Sequence, residues 1–206
     1  MTGFLALPLV LLAFHGVAQP LPQPVRHELA GRFWHSGCPV SLSQLRLLTL
    51  SYWGFDGQVH TGQLVVNEDA ATPLLRVFSR LYRLRFRIHH MRLVDAYGRG
   101  PRPADTTSAF ECRQAVPSPC SGGTGTGSWS NHAYGLAIDL NPSENPYVGC
   151  GMSRDPLAQS YRDRSRHRPG MVTGQVRKAF ASIGWGWGGA WAGNTKDYMH
   201  FSYNGH

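Results

Sequence analysis

The sequence predicts an α+β domain, a small antiparallel sheet flanked by helices. Two strand-like runs, Leu45–Trp53 and residues 63–66, are separated by the turn Phe55-Asp56-Gly57 and read as a hairpin. Two further segments, one opening at Thr72 and one over residues 172–183, repeat apolar residues at helical spacing. Short strand candidates lie at 135–140 and 199–203. With 206 residues the chain is long enough for one domain with a real core and short for two.

Taken in order, residues 4–14 form an apolar run too short to span a bilayer, followed by Gly16-Val17-Ala18. Small residues there suit a signal peptidase, so residues 1–18 are expected to be a signal peptide; a buried N-terminal helix is the alternative. Residues 19–40, with Pro20, Pro22 and Pro24 at alternate positions, read as a Pro-rich lead-in segment rather than a folded unit. Thr72-Pro73 has the form of an N-cap followed by proline at the first helical position. Leu74, Leu75, Phe78, Leu81 and Tyr82 then supply the apolar face. Residues 91–96 read as a strand, and 98–127 as a long irregular excursion rich in Gly, Pro, Ser and Thr.

Across 135–140, Leu136, Ile138 and Leu140 share one strand face, while Ala137 and Asp139 share the other. The second helix carries Val176, Phe180 and Ile183 inward and stops at Gly184. Trp185, Trp187 and Trp191 follow in a glycine-rich run, divided between cleft lining and core packing.

Charge and cysteine content narrow the function. The formal charge is +8, and residues 1–18 contribute none of it. Such a balance favours polyanions, anionic wall polymers among them. No arginine-rich helix or aromatic-interleaved RNA motif is present, so nucleic acid is not the expected partner. Four cysteines, Cys38, Cys112, Cys120 and Cys150, form no CxxC pair and suggest two disulfides in an exported chain. Of the three possible pairings, Cys112–Cys120 with Cys38–Cys150 is preferred, because the first closes a short Pro-containing loop.

The chemistry concentrates in two segments. Ser130-Asn131-His132-Ala133-Tyr134-Gly135-Leu136-Ala137-Ile138-Asp139 is answered much later by Asp197-Tyr198-Met199-His200-Phe201. A hydrolytic zinc site needs three N/O ligands, an open fourth position and a spare carboxylate as base. His132, Asp139 and His200 can supply the ligands to one Zn2+, and zinc lowers the pKa of bound water towards ~7. Asp197 is the candidate acid/base. It precedes His200 by three residues, so a bend within 196–198 is required to turn both towards one point. Ser130 is expected to shape the site or bond substrate, since it lacks the Gly-x-Ser-x-Gly context of a nucleophile.

The string Ser-x-His-x-x-Gly-x-Ala-x-Asp with a distal Asp-x-x-His resembles the zinc D-alanyl-D-alanine carboxypeptidases and their endopeptidase relatives, the VanY-like peptidases. Trp53-Gly54-Phe55-Asp56-Gly57, Thr107-Ser108-Ala109-Phe110, Asn141-Pro142 and Trp187-Gly188-Gly189 extend the likeness over roughly residues 45–203. It implies a Hedgehog/DD-peptidase-like single domain at 41–206. His132, Asp139 and His200 would be zinc ligands, Asp197 the acid/base, and Ser130, Ser108 and Trp187 substrate contacts. Many such proteins carry an arginine in Ser-x-Tyr-Arg before the first ligand. Here Ala96-Tyr97-Gly98 stands instead, leaving Arg113, or its rival Arg99, as the candidate for stabilising the oxyanion.

The implied activity is that of a secreted, monomeric zinc peptidase without a stable membrane span, acting on peptidoglycan stem peptides in the cell wall. It would release terminal D-Ala or cut internally, as L-alanyl-D-glutamate endopeptidases do. The alternatives are a non-catalytic Hedgehog-like zinc module and a wall-binding protein whose zinc is structural, with His206 or His90 as a fourth ligand.

Overall fold

A computed structural model describes residues 13–97, 105–118, 120, 127–153 and 155–206. Strand β1 (Gly16–Pro20) and helix α1 (Gln23–Leu29) come first, then the long hairpin β2 (Leu45–Trp53) and β3 (Val59–Asn67). Helix α2 (Glu68–Arg83) and the short α3 (Leu93–Tyr97) follow. Beyond them lie β4 (Ala137–Asp139), β5 (Tyr147–Gly149), β6 (Met152–Ser153), α4 (Gly174–Ala181), β7 (Gly186–Trp187), β8 (Lys196–Asp197) and β9 (His200–Ser202). The strands form three antiparallel sheets, in the orders β1-β2-β3, β4-β9-β7 and β6-β5-β8. The α+β class stands, and no described helix is long and apolar enough to cross a membrane.

The first sheet is buried on both faces, and the two-residue period of its strands decides which side chain goes where. Leu48, Leu50 and Tyr52 of β2, with Leu64 and Val66 of β3, enter the main core under α2 and α4. Leu45, Leu47 and Val65 point the other way, into a second core with Leu21, Leu29, Val40 and Phe110.

That second core corrects the reading of residues 19–40, which are folded. Leu29 is 0 % exposed, and the Trp34 indole donates to the Val40 carbonyl at 2.7 Å. The prolines mark the entry to α1 rather than a linker; the apolar outer face of the hairpin needs a cover, and this segment supplies it. Strand β1 pairs Gly16 with Leu50 through to Pro20 with Arg46, so the expected cleavage point after Ala18 falls inside it.

Three other expectations change. Helix α2 starts at Glu68, not at Thr72-Pro73: Asn67 Oδ1 accepts from Asp69 N (3.1 Å), and Glu68 and Asp69 favour the first turn electrostatically. Pro73 sits inside the helix, near its start. Residues 93–97 are helical rather than strand, and Arg92 clamps Asp95 at 2.8 and 2.9 Å across that single turn. The disulfides are Cys38–Cys112 and Cys120–Cys150, not the preferred pairing. The first follows from the folded N-terminal segment, since Cys112 N donates to the Phe33 carbonyl (3.1 Å). The expected strand at 135–140 is confined to β4, the helix at 172–183 to α4 under a Thr173 cap, and the strand at 199–203 to β9.

Candidate metal centre

His132 lies on a single 3-10 turn, Asn131–Tyr134, between β3 and β4 in space. Ser130 Oγ accepts from His132 N (3.3 Å) at its start, and Gly135, at φ +67°, ends it. A Cβ on Gly135 would meet Asn67 N at 2.6 Å. That close approach is used: Asn67 N donates to the Gly135 carbonyl (2.9 Å) and Asn67 Nδ2 to the Tyr134 carbonyl (2.9 Å). The turn is thus docked on the end of β3, and His132 with it.

Asp139 and His200 are brought together by register. In the antiparallel pair β4–β9 they stand directly opposite, so both side chains leave the same face. The other face sends Ile138 and Phe201 into the main core. His132 Nε2 lies 3.2 Å from Asp139 Oδ2, His200 Nδ1 lies 3.2 Å from Asp139 Oδ1, and the two imidazole nitrogens are 3.3 Å apart. Four ligands at about 2.0 Å around a tetrahedral ion are separated by roughly 3.3 Å. The three donors therefore fit a zinc ion in type and spacing.

The remaining ring nitrogens fix the tautomers. A carbonyl can only accept, so His132 Nδ1 carries a proton to the Ala109 carbonyl (2.5 Å) and His200 Nε2 one to the His206 carbonyl (3.2 Å). That turns His132 Nε2 and His200 Nδ1 towards Asp139, as the ring nitrogens available to a metal. Burial alone would raise the Asp139 carboxyl, but His132 and His200 outweigh it and hold the group well below the ordinary carboxylate range. The His200 imidazolium is opposed by burial yet favoured more strongly by Asp139, so its pKa is raised.

Asp197 reaches the same cleft from another sheet. It ends β8, opposite Tyr147 of β5, and the chain breaks at Tyr198-Met199 before β9 begins. That break is the bend the three-residue spacing demanded. Tyr198 N donates to the Pro146 carbonyl (3.2 Å) and Leu140 N to the Met199 carbonyl (3.0 Å), which hold it open. Asp197 Oδ1 is buried without a hydrogen-bond partner. Burial, reinforced by Asp139, pushes the carboxyl up to about 7, against the pull of His200 and Arg113.

Around these residues is a cleft of about 380 Å3, whose lining includes Arg113, Ser130, Tyr147, Trp191 and Asp197. Arg113 is tethered by Glu111 Oε2 (Nε, 3.1 Å) and the Gln114 carbonyl (Nη1, 3.2 Å). Arg99 lies outside the described residues. Ser108 and Trp187 are not brought to the lining. Ser108 pairs with Asp139 through the backbone in both directions (3.1 and 2.9 Å). The Trp187 indole donates to the Tyr198 carbonyl (2.8 Å) beneath the bend, and its ring stacks on Phe201. Trp185 is buried against Phe180, and of the three tryptophans in that run Trp191, 6.0 Å from the His200 ring, faces the cleft. Trp129, Tyr147 and Asn204 also join the lining, although the sequence reading assigns none of them a place in the site. His206 contributes its backbone carbonyl to His200, while the His90 ring sits elsewhere, 3.9 Å from Asp95.

Residues 124–203 match the family model described as D-alanyl-D-alanine carboxypeptidase. The matched span holds His132, Asp139, Asp197 and His200; Arg113 and Ser108 lie before it. The match supports the resemblance to the VanY-like peptidases and a peptidase of that class. Comparisons with curated proteins and with solved structures gave no significant match.

Proposed function

We propose that the chain is an exported zinc-dependent peptidase that hydrolyses a peptide bond in the peptidoglycan stem, with release of a terminal D-alanine as the first reading. The observation that carries it is the pairing of three mutually spaced N/O donors with a carboxylate whose Oδ1 is buried without a hydrogen-bond partner on the same cleft.

His132 Nε2, Asp139 and His200 Nδ1 would hold the ion. When bound, zinc supplies Lewis-acid charge and a water made acidic enough to attack near neutral pH. The protein's own residues do the rest. Asp197 receives the proton of the attacking water and delivers it to the leaving amine, a task suited to a carboxyl that titrates near neutrality. Arg113 offers a guanidinium to the scissile carbonyl oxygen as charge develops there. Ser130 and Trp191 position the peptide, Ser130 by its hydroxyl and Trp191 by its ring. Two disulfides suit an oxidising compartment, and the apolar run at 4–14 suits export. The net charge of +8 suits an anionic wall.

The test is digestion of purified peptidoglycan, with fragments identified by mass spectrometry, using the native protein, the chelated protein and Asp197→Asn. Loss of one alanine mass, abolished by chelator and by the substitution, is the expected result. Released stem peptides would assign an endopeptidase instead. Unchanged wall fragments from protein carrying bound zinc would overturn the catalytic reading.

A further inference from the structure

A second cluster of metal-ligating groups lies apart from the cleft and serves no step above. His89 Nε2 is 3.1 Å from Glu144 Oε1 and 3.3 Å from Asp105 Oδ2, and no two of the three ligand atoms are more than 4.8 Å apart. Two carboxylates on one imidazole nitrogen need a cation or a shared proton. Among the described residues neither carboxylate forms an ion pair with Arg or Lys. Arg164, the nearby guanidinium, is directed instead to the Glu144 backbone carbonyl (2.6 Å) and Asn145 Oδ1 (3.1 Å).

Glu144 supplies the decisive observation. Its residue is 3 % exposed, and its Oε2 is buried with no partner at ordinary hydrogen-bond geometry, the Tyr161 hydroxyl and the Asp105 carboxyl being its polar neighbours. A buried acceptor left unsatisfied is costly, so such an atom calls for a cation or a proton to meet it. The other two groups are held ready. Ser143 N donates to Asp105 Oδ1 (3.0 Å), which leaves Oδ2 for His89. The His89 ring lies flat on Phe55, with centroids 3.6 Å apart, and its backbone N donates to Asn141 Oδ1 (3.3 Å). His89 is also a third exposed and lines a surface cavity with Phe55, His60 and His90, which gives an ion a way in.

We propose that His89, Asp105 and Glu144 form a second divalent-cation site, binding a zinc- or manganese-class ion through one imidazole nitrogen and two carboxylate oxygens. Mixed N/O donors favour that class over calcium or magnesium, which prefer all-oxygen shells. The ion would cross-link three stretches of chain. One of them, Asp105 to Ser108, backs strand β4, so the site would brace the strand that presents Asp139.

The test is metal stoichiometry of the full chain by mass spectrometry of the metal content after equilibration with Zn2+ and desalting. Four proteins are compared: native, His132→Ala/His200→Ala, His89→Gln/Glu144→Gln, and the combination. The expected contents are two, one, one and zero equivalents. Circular dichroism checks folding, and Co2+ absorption of the His132→Ala/His200→Ala protein reports whether nitrogen and oxygen ligands hold the remaining ion. One equivalent in the native protein, lost entirely with His132 and His200, would overturn the second site and leave the cleft assignment intact. So would two equivalents retained by folded His89→Gln/Glu144→Gln. A native content of one that survives loss of His132 and His200 would instead uphold this site and count against the first.

Discussion

Asp197→Asn should make the metal-free protein more stable at neutral pH while destroying its peptidase activity. The substitution keeps the shape of the side chain and removes its charge. In the folded protein burial and Asp139 push the carboxyl up to about 7, against 3.8 for the free side chain. A folded pKa above the unfolded one means the native state binds the proton more tightly. The stability this contributes is fully present below about pH 4 and is lost as pH rises through about 7. The gap is about three pKa units at roughly 1.4 kcal/mol each, a ceiling of about 4 kcal/mol. The residue keeps some solvent contact, so about 2 kcal/mol is expected. Urea denaturation of metal-free native and Asn proteins, at intervals from pH 4 to 8 with disulfides intact, measures it. The Asn protein should gain on the native one as pH rises, from near equality at pH 4 to about 2 kcal/mol at pH 8. With zinc restored, its turnover should fall roughly 10²–10⁴-fold. A stability difference that does not change with pH, or an Asn protein weaker at pH 8, would refute the electrostatic account of this carboxyl.

Two further outcomes follow from packing. A Cβ on Gly188 would sit 2.5 Å from the Asp197 carbonyl oxygen and 2.9 Å from its Cβ; Gly188→Ala should therefore displace Asp197 and lower kcat roughly 10²-fold with metal content unchanged. Leu29→Ala should cost about 2–5 kcal/mol in urea denaturation because Leu29 is wholly buried, whereas a segment outside the fold would show no change.

Much of the fold was legible because its signals are local. The hairpin β2–β3 declared itself through strand-like runs around an Asp-Gly turn, and α2 and α4 through helical spacing. Errors arose where a local signal competed with a distant one. Thr72-Pro73 has the form of a helix start, yet Asn67 caps an earlier one. The prolines at 20, 22 and 24 suggested a linker, but the outer face of a hairpin more than twenty residues away required cover. The Cys38–Cys112 pairing follows the docking of that segment, which cysteine spacing does not encode.

The same division runs through the candidate site. By itself the sequence determined which side chains are available: two imidazoles and two carboxylates, with Asp139 on the opposite strand face from Ile138. Those properties depend on residue identity and the two-residue strand period. Only the tertiary structure decided that Asp139 faces His200 across a ladder, that Asp197 enters from a separate sheet, and that Trp191 rather than Trp187 lines the cleft. Each depends on pairing segments far apart in the chain, and register is set by burying Ile138 and Phe201 while satisfying the backbone between them.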